Sequence, residues 1–178
     1  MQAFEAQDFA QLGHAERVTA YALALGRSLE VSQQQLVDLY FAAMLHDIGK
    51  LGTGLDLGIE DLDHPQRGAN MVASAALLGN AAEAIRHHHE NWDGSGFPSA
   101  LRKEAIPLLA RIVAVADTFD TLSSERGQAM PLREVEKALD TRAGSELDPT
   151  LVSRFGNILR QGRDTKELGR LQDSDLPF

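Results

Sequence analysis

Histidines cluster in one short stretch of this 178-residue chain. Three of the six histidines stand together at 87–89, and Glu90, the only tryptophan (Trp92) and a segment rich in glycine and proline follow, up to Pro98. Two adjacent imidazoles at a helix end could ligate two metal ions or bracket one anion, although an isolated His-His pair is also common on protein surfaces. Because the chain contains no cysteine, any transition-metal site must use imidazoles and carboxylates.

A second pair of this kind is His46-Asp47, with Gly49-Lys50 directly after it. Adjacent residues on a helix point about 100° apart, so both side chains reach one site only if it lies across the helix end or holds more than one ion. Asp117 closes a strongly apolar run, where an unpaired carboxylate would be costly, so it needs a cation or a metal as a partner. Arg111 lies at a poor helical spacing from Asp117 and is a doubtful partner.

Two single histidines complete a candidate ligand set, although a lone histidine on an amphipathic helix is more often a packed or surface residue. The set supplies about what two divalent ions need and leaves positions open for water and substrate. Two aspartates against two divalent ions would leave a net charge of about +2, which attracts phosphate, and Lys50 and Arg126 could add to it. The set is His14, His46, Asp47, His64, His88, His89 and Asp117.

Helices must position these ligands, because apolar residues recur at three- and four-residue steps and no segment alternates like a strand. The pattern predicts a helix over Asp8–Leu29 and a second that opens with a Ser32/Gln35 capping box and runs into His46. A third helix begins at His64-Pro65 and continues through Met71 and Leu78 to Gly79, and a short Ala-rich helix from about Ala81 leads into the histidines. The loop Trp92–Pro98 follows.

The second half of the chain continues the all-α pattern. Pro107 starts the most apolar helix, which carries Asp117 and should be central to the core, and Pro131 and Pro149 begin two further helices, the first of which ends near Gly144. After Gly162 the chain becomes polar and predicts a loosely attached tail. We therefore expect one domain over residues 1–160 and a polar C-terminal tail over 161–178.

Composition restricts the classes of function. The formal charge of −9 and a pI near 5.1 argue against a broad electrostatic contact with nucleic acid polymers or anionic membranes. No window approaches 18 uncharged apolar residues, and no basic region followed by an apolar run stands at the N-terminus, so we expect neither a membrane span nor a signal peptide. The absence of cysteine fits a cytoplasmic location.

These motifs, in this order, resemble the HD-GYP subfamily of the HD-superfamily metal-dependent phosphohydrolases, over about Asp8 to Phe155. The resemblance implies an HD-domain bundle of about seven helices with two or three metal ions, usually iron or manganese, that hydrolyses cyclic di-GMP or a related cyclic dinucleotide. The matching pieces are His14-Ala15-Glu16-Arg17-Val18, His46-Asp47-Ile48-Gly49-Lys50, His64-Pro65 with Gly68, His88-His89 through Gly96-Phe97-Pro98, Ile106-Pro107 with Arg111 through Asp117, and Asp148-Pro149.

The resemblance also implies roles for single residues. The seven ligands named above would bind the metals, and Asp47 would bridge two of them, so that a hydroxide held between the ions attacks phosphorus. Asp47 and Lys50 would be catalytic. Lys50, Arg126 and Phe97 occupy positions that face the substrate in the family.

Four departures from the family pattern fall on lid, substrate-facing or third-metal positions. Gly96-Phe97-Pro98 lacks the tyrosine hydroxyl of the Gly-Tyr-Pro signature, and the segment between Lys50 and His64 is short. Gly127-Gln128-Ala129 follows Arg126 where many members have a second cation, and Ala10 replaces a glutamate that some members use for a third metal, which favours two metals.

Three functions therefore stay open. The first is a cyclic-dinucleotide phosphodiesterase with two divalent ions, of iron or manganese, with nickel and zinc as alternatives. The second is an HD phosphohydrolase that acts on another nucleotide or phosphate ester. The third is a catalytically weak module that binds a cyclic dinucleotide or contacts a signalling protein through the Trp92–Pro98 loop, which we expect to be exposed.

Overall fold

The computed structural model describes residues 2–51, 61–75, 78–124, 130–161 and 168–178, with side chains from Gly13 onward except that of residue 173. Over these ranges the chain forms seven α-helices and no strand, which confirms the all-α prediction. The helices are α1 (Gln2–Ser28), α2 (Gln33–Leu45), α3 (His64–Ala73), α4 (Gly79–His87), α5 (Leu108–Ser124), α6 (Leu132–Arg142) and α7 (Pro149–Arg160).

The helix starts follow the capping chemistry of the sequence. Ser32 accepts the backbone N–H of Gln35, whose side chain accepts the N–H of Ser32, so the predicted capping box opens α2. Asp148 caps α7 by accepting the N–H groups of Thr150 and Leu151, with Pro149 in the first turn. Both predictions are confirmed.

Helix α3 is shorter than the sequence pattern predicts. It ends at Ala73, not near Gly79, because the chain leaves the helical path in a turn where the N–H of Ala75 bonds to the carbonyl of Val72. Met71, which lies within α3 as predicted, is 52% exposed. The next helix, α4, begins at Gly79, about two residues before the predicted start.

Helix α5 lies at the centre of the bundle, as its apolar sequence predicts. It packs against α1, α2, α4, α6 and α7. Phe119 of α5 packs edge to face on Tyr21 of α1 and Phe155 of α7, with ring centroids 4.9 and 5.1 Å apart. The polar residues of α5 that face the bundle are therefore held on a rigid element.

The C-terminal segment 168–178 is attached to the bundle, so the expectation of a loose tail is wrong for these residues. Leu168 is buried, the side chain of Arg27 donates to the carbonyl of Asp175, and Gln33 donates to the carbonyl of Pro177. The ring of Phe178 lies 5.4 Å from that of Tyr40. Its few apolar residues anchor a segment whose average composition is polar. The domain boundary at residue 160 stays a prediction.

Among the described helices, none combines the length and the apolar character that crossing a membrane requires.

Candidate metal centre

Five elements bring the seven predicted ligands to one end of the bundle. His14 lies on α1, His46 and Asp47 follow α2, and His64 is the first residue of α3. His88 and His89 follow α4, and Asp117 lies on α5. The ligands come from distant parts of the chain, so only the folded bundle assembles them.

Two groups of potential ligand atoms share Asp47. In each group, all the atoms lie within 4.8 Å of one another. Asp117 adjoins the smaller group, because its Oδ1 atom lies 3.3 Å from His14 Nε2 and 4.0 Å from His46 Nε2. His87 belongs to neither group. The groups are Asp47, His64, His88 and His89 in the first, and His14, His46 and Asp47 in the second.

Backbone carbonyls fix the orientation of three imidazoles. Nδ1 lies 2.8 Å from the Ala43 carbonyl in His46 and 2.6 Å from the Ile85 carbonyl in His88. In His64 the same atom lies 2.5 Å from the Asp61 carbonyl. A carbonyl oxygen only accepts hydrogen bonds, so each Nδ1 must carry the proton, and in the neutral ring Nε2 presents a lone pair to the site.

The lone pairs of these rings meet acceptor atoms at short range. His64 Nε2 lies 3.4 Å from His88 Nε2 and 3.3 Å from Asp47 Oδ1. While both rings are neutral and carry the proton on Nδ1, neither contact can be a hydrogen bond, because the two atoms that face each other are both acceptors. His88 is fully buried, and burial lowers its pKa well below the usual value, so it stays neutral. A cation between these atoms would convert the repulsion into coordination.

Two buried atoms in the cluster, His46 Nε2 and Asp47 Oδ1, make no hydrogen bond in the described structure. Unsatisfied buried polar atoms are costly, and a bound cation would satisfy both. The donor set of imidazoles and carboxylates, without thiolates, suits first-row divalent metals. These residues therefore fit a metal centre.

Asp47 is held as an anion. Burial alone would raise its pKa, but His46, His64 and Lys50 outweigh burial and hold the pKa well below its usual range. The ammonium of Lys50 lies 2.7 Å from Asp47 Oδ2. Gly49 stands between these two residues, and a Cβ there would collide with the carbonyl of His64, so only glycine lets this turn approach the start of α3.

Asp120, which the sequence analysis did not single out, holds His14 in place. It is buried on α5, one turn after Asp117, and its carboxylate lies 2.7 Å from His14 Nδ1. Arg17 donates to both carboxylate oxygens, at 2.7 and 2.9 Å. Burial lowers the pKa of His14, but hydrogen bonds to Asp117 and Asp120 outweigh it and raise the pKa to about 9.

The loop after the histidines is docked on the bundle, and its aromatic rings are half-buried, contrary to our expectation of an exposed loop. Phe97 stacks on His89 with ring centroids 5.0 Å apart and an interplanar angle of 22°. Burial lowers the pKa of His89 to about 4. The guanidinium of Arg111 lies over Trp92 and also binds Asp148 at 2.7 Å. Arg111 is thus a partner of Asp148 and not of Asp117.

A cavity of about 250 Å³ adjoins the cluster. His88, His89 and Asp117 line one side, and Arg142 and Glu146, from the end of α6 and the turn after it, line another. These last two residues were also missed by the sequence analysis. Arg126, predicted to contact substrate, lies outside the described residues.

A model of the HD domain family matches residues 60–151, about half of the chain. The chain belongs to the HD domain family. This match includes His64, His88, His89 and Asp117 of the cluster, and the resemblance to the HD-GYP members of the HD superfamily is confirmed.

The chain is also similar to curated proteins from bacteria. It is 31% identical to a cyclic di-GMP phosphodiesterase of Thermotoga maritima over 96% of this chain and 50% of that protein. It is 32% identical to 3'3'-cGAMP-specific phosphodiesterase 3 of Vibrio cholerae over 83% of this chain and 35% of that protein. The chain thus spans half or less of the length of these relatives.

A solved structure shares the fold. The crystal structure of a cyclic GMP-AMP specific phosphodiesterase from V. cholerae matches with a TM-score of 0.74 and 22% identity, over 91% of this chain and 47% of that one. At this identity the likeness supports the HD-type helical bundle and nothing finer.

Proposed function

We propose that this chain is a metal-dependent phosphodiesterase that hydrolyses cyclic di-GMP or a related cyclic dinucleotide. The observation that carries the proposal is the convergence of imidazole nitrogens and carboxylate oxygens around Asp47, where acceptor atoms of neutral rings and of the carboxylate face one another unless a cation lies between them. The relatives named above act on cyclic dinucleotides by their names, which supports this class of substrate.

Two divalent ions would fit the two groups of ligands. Asp47, His64, His88 and His89 would hold one ion, and His14, His46, Asp47 and Asp117 would hold the other, so that Asp47 is shared. When bound, such ions supply Lewis acidity towards a phosphoryl oxygen and lower the pKa of a water molecule. Iron or manganese are our first expectation for their identity.

Residues of the chain would orient the phosphate and balance its charge. Lys50, whose ammonium contacts Asp47, would place its positive charge beside the phosphodiester and at the same time fix the position of the shared carboxylate. Phe97 covers one face of His89 without offering a hydroxyl, so we propose that it contributes apolar contact to the substrate. Arg126 remains a proposed substrate contact on the basis of sequence.

With two divalent ions bound, the site would carry a net positive charge, which attracts a phosphate. The backbone carbonyls that orient His46, His64 and His88 are neutral, and the charge of Asp120 is offset by Arg17. Among the seven candidate ligands, Asp47 and Asp117 carry the negative charge that would counter two divalent ions, which leaves about +2 at the centre of a chain whose formal charge is −9.

The experiment is metal analysis of anaerobically purified protein, followed by turnover of cyclic di-GMP, other cyclic dinucleotides and a bis-aryl phosphodiester with each metal. We expect bound metal and turnover in the wild type, and loss of both in a His46→Ala/Asp47→Ala variant. His87→Ala, beside the cluster but in neither group, is the matched control and should keep both.

Absence of bound metal, or wild-type turnover by the double variant, would contradict the proposal. Turnover of the bis-aryl ester without turnover of any cyclic dinucleotide would favour a phosphohydrolase with another substrate. Tight binding of cyclic di-GMP that is not hydrolysed would favour a binding module.

We propose further that the protein acts in the cytoplasm and that a signalling partner contacts the Trp92–Pro98 loop. Truncation of this loop followed by an interaction screen would test the second point, although Phe97 also covers His89 and its loss should be assessed separately with Phe97→Ala.

A further inference from the structure

The cavity beside the metal centre contains an ion pair that has no role in holding the ligands. Nε of Arg142 lies 3.2 Å from Oε2 of Glu146, and both side chains line the cavity together with His89 and Asp117. The two side chains are 33% and 54% exposed and line the same cavity as the ligands, so they are open to a molecule that fills this cavity. Among the described residues, Arg142 Nη2 and Glu146 Oε1 have no hydrogen-bond partner.

The backbone around this pair is held firmly against the histidine loop. The N–H groups of Trp92 and Asp93 donate to the carbonyls of Glu146 and Ser145, at 3.0 and 2.8 Å. The carbonyl of Arg142 accepts the N–H groups of Ser145, Glu146 and Leu147. These bonds fix the turn that carries the pair relative to His88 and His89, so the pair is placed before any ligand arrives.

The charges of the pair decide what it can recognise. A phosphate group would gain from Arg142 but would be repelled by the carboxylate 3.2 Å away, so the pair is a poor anion site. A side-by-side donor and acceptor instead matches the edge of a nucleobase. Guanine presents the N1–H and N2–H donors beside the O6 acceptor, which would face Glu146 and Arg142 respectively.

We infer that Arg142 and Glu146 form a guanine-reading subsite of the substrate cavity. This inference rests on the proposed function, because it places a base of the same cyclic dinucleotide whose phosphate lies at the metal centre. Adenine would present a ring acceptor to the carboxylate and an amino donor to the guanidinium. An acceptor would then face an acceptor, and a donor would face a donor, so neither hydrogen bond could form. The subsite therefore selects substrates with at least one guanine.

Replacement of Glu146 by Gln tests the inference without disturbing the fold, because an exposed ion pair contributes little to stability. The measurement is the ratio of kcat/KM for cyclic di-GMP to that for cyclic di-AMP. Glu146→Gln should lower this ratio about ten- to a hundredfold, since an amide can satisfy adenine. Glu136→Gln is the matched control, because Glu136 of α6 pairs with Arg160 of α7 outside this cavity, and it should leave the ratio unchanged.

A ratio in Glu146→Gln equal to that of the wild type would overturn the inference. A second measurement needs no turnover and so separates this inference from the proposed function. Calorimetric binding of guanosine and adenosine monophosphate to metal-loaded protein should favour guanosine in the wild type and lose that preference in Glu146→Gln. Equal binding of both nucleotides by the wild type would refute the subsite even if the enzyme hydrolyses cyclic dinucleotides, and failure of all hydrolysis with guanosine preference intact would refute the proposed function alone.

Discussion

Replacing Asp120 by alanine is expected to destabilise the metal-free protein strongly. The carboxylate of Asp120 is 1% exposed and receives His14 Nδ1, two donors of Arg17 and the hydroxyl of Ser124. Its pKa lies below the usual value: burial would raise it, but the hydrogen bonds from His14 and Arg17 outweigh burial, so the residue is ionised at neutral pH. Alanine would leave His14 and Arg17 without their shared acceptor.

The magnitude follows from this geometry. Removal of one partner from a buried ion pair typically costs about 3–5 kcal/mol. The side chain of Arg17 is 36% exposed and can be solvated again, so we expect the lower end, about 3 kcal/mol. For a domain of this size, that corresponds to a fall in the melting temperature of roughly 6–12 °C. Asparagine keeps the shape and one acceptor, and its effect should be about half as large.

Thermal unfolding followed by circular dichroism, on metal-stripped protein, measures this effect. Asp140→Ala, an exposed aspartate on α6, is the control and should melt within about 1 °C of the wild type. Calorimetry should also show that Asp120→Asn weakens metal binding about 10- to 100-fold, because the ring of His14 is no longer held in place. An Asp120→Ala protein that melts with the wild type, and binds metal equally well, would refute the reasoning.

Three further predictions concern metal, pH and packing. Divalent metal at about 100 times its Kd should stabilise the fold by about 2.7 kcal/mol, which raises the melting temperature by about 5–11 °C. The variant His88→Ala should lose most of this shift, and His87→Ala should keep it. Equal shifts in the two variants would count against the assigned ligands. The folded-state pKa of His14, about 9, exceeds its usual 6.5, so the contribution of His14 to the stability of the metal-free protein is fully present below about pH 6.5 and is lost as the pH rises through 9. Denaturant titrations of the wild type should show a loss of at most about 3 kcal/mol over this range, and His14→Gln should not show it. Parallel pH profiles for the two proteins would exclude His14 as the source. Phe155→Ala should cost about 3–5 kcal/mol in the same titrations, because it empties a site between Tyr21 and Phe119, and a cost below about 1 kcal/mol would mean that the aromatic cluster is not tightly packed.

The candidate ligands could be predicted from the sequence because they stand at positions that the sequence marks. His46 and His88 close apolar helices, and Pro65 marks His64 as the start of another. Helix ends are local features, and capping residues, glycines and prolines reveal them. The direction of three of these rings is also set within a few residues, because the carbonyl three positions earlier accepts the Nδ1 proton, but no residue type in the sequence marks this bond.

Residues that support the site were harder to predict, because their partners lie far away in the chain. Asp120 is one turn from Asp117 on α5, and Arg17 is one turn from His14 on α1, so an acidic pair and a basic pair, each with helical spacing, were visible in the sequence. The sequence did not show that these two helices pack together and bring the two pairs into contact. Arg142 and Glu146 gave no signal beyond two opposite charges four residues apart, a spacing that is common in sequences.

The C-terminal segment shows where average composition fails as a predictor. Average polarity predicted a loose tail, but attachment depends on single residues such as Leu168 and on side chains of α1 and α2 that bind backbone carbonyls. Composition averages over these contacts and cannot locate them.

The three histidines that donate Nδ1 to a carbonyl three residues earlier have a consequence for how this site could be altered. Each ring is oriented by its own short segment of chain. The segments are Ala43 to His46, Asp61 to His64 and Ile85 to His88. The loops that connect these segments do not orient the three rings. Loops could therefore be lengthened, shortened or exchanged to reshape the rim of the cavity, while the inward face of the metal centre keeps its geometry.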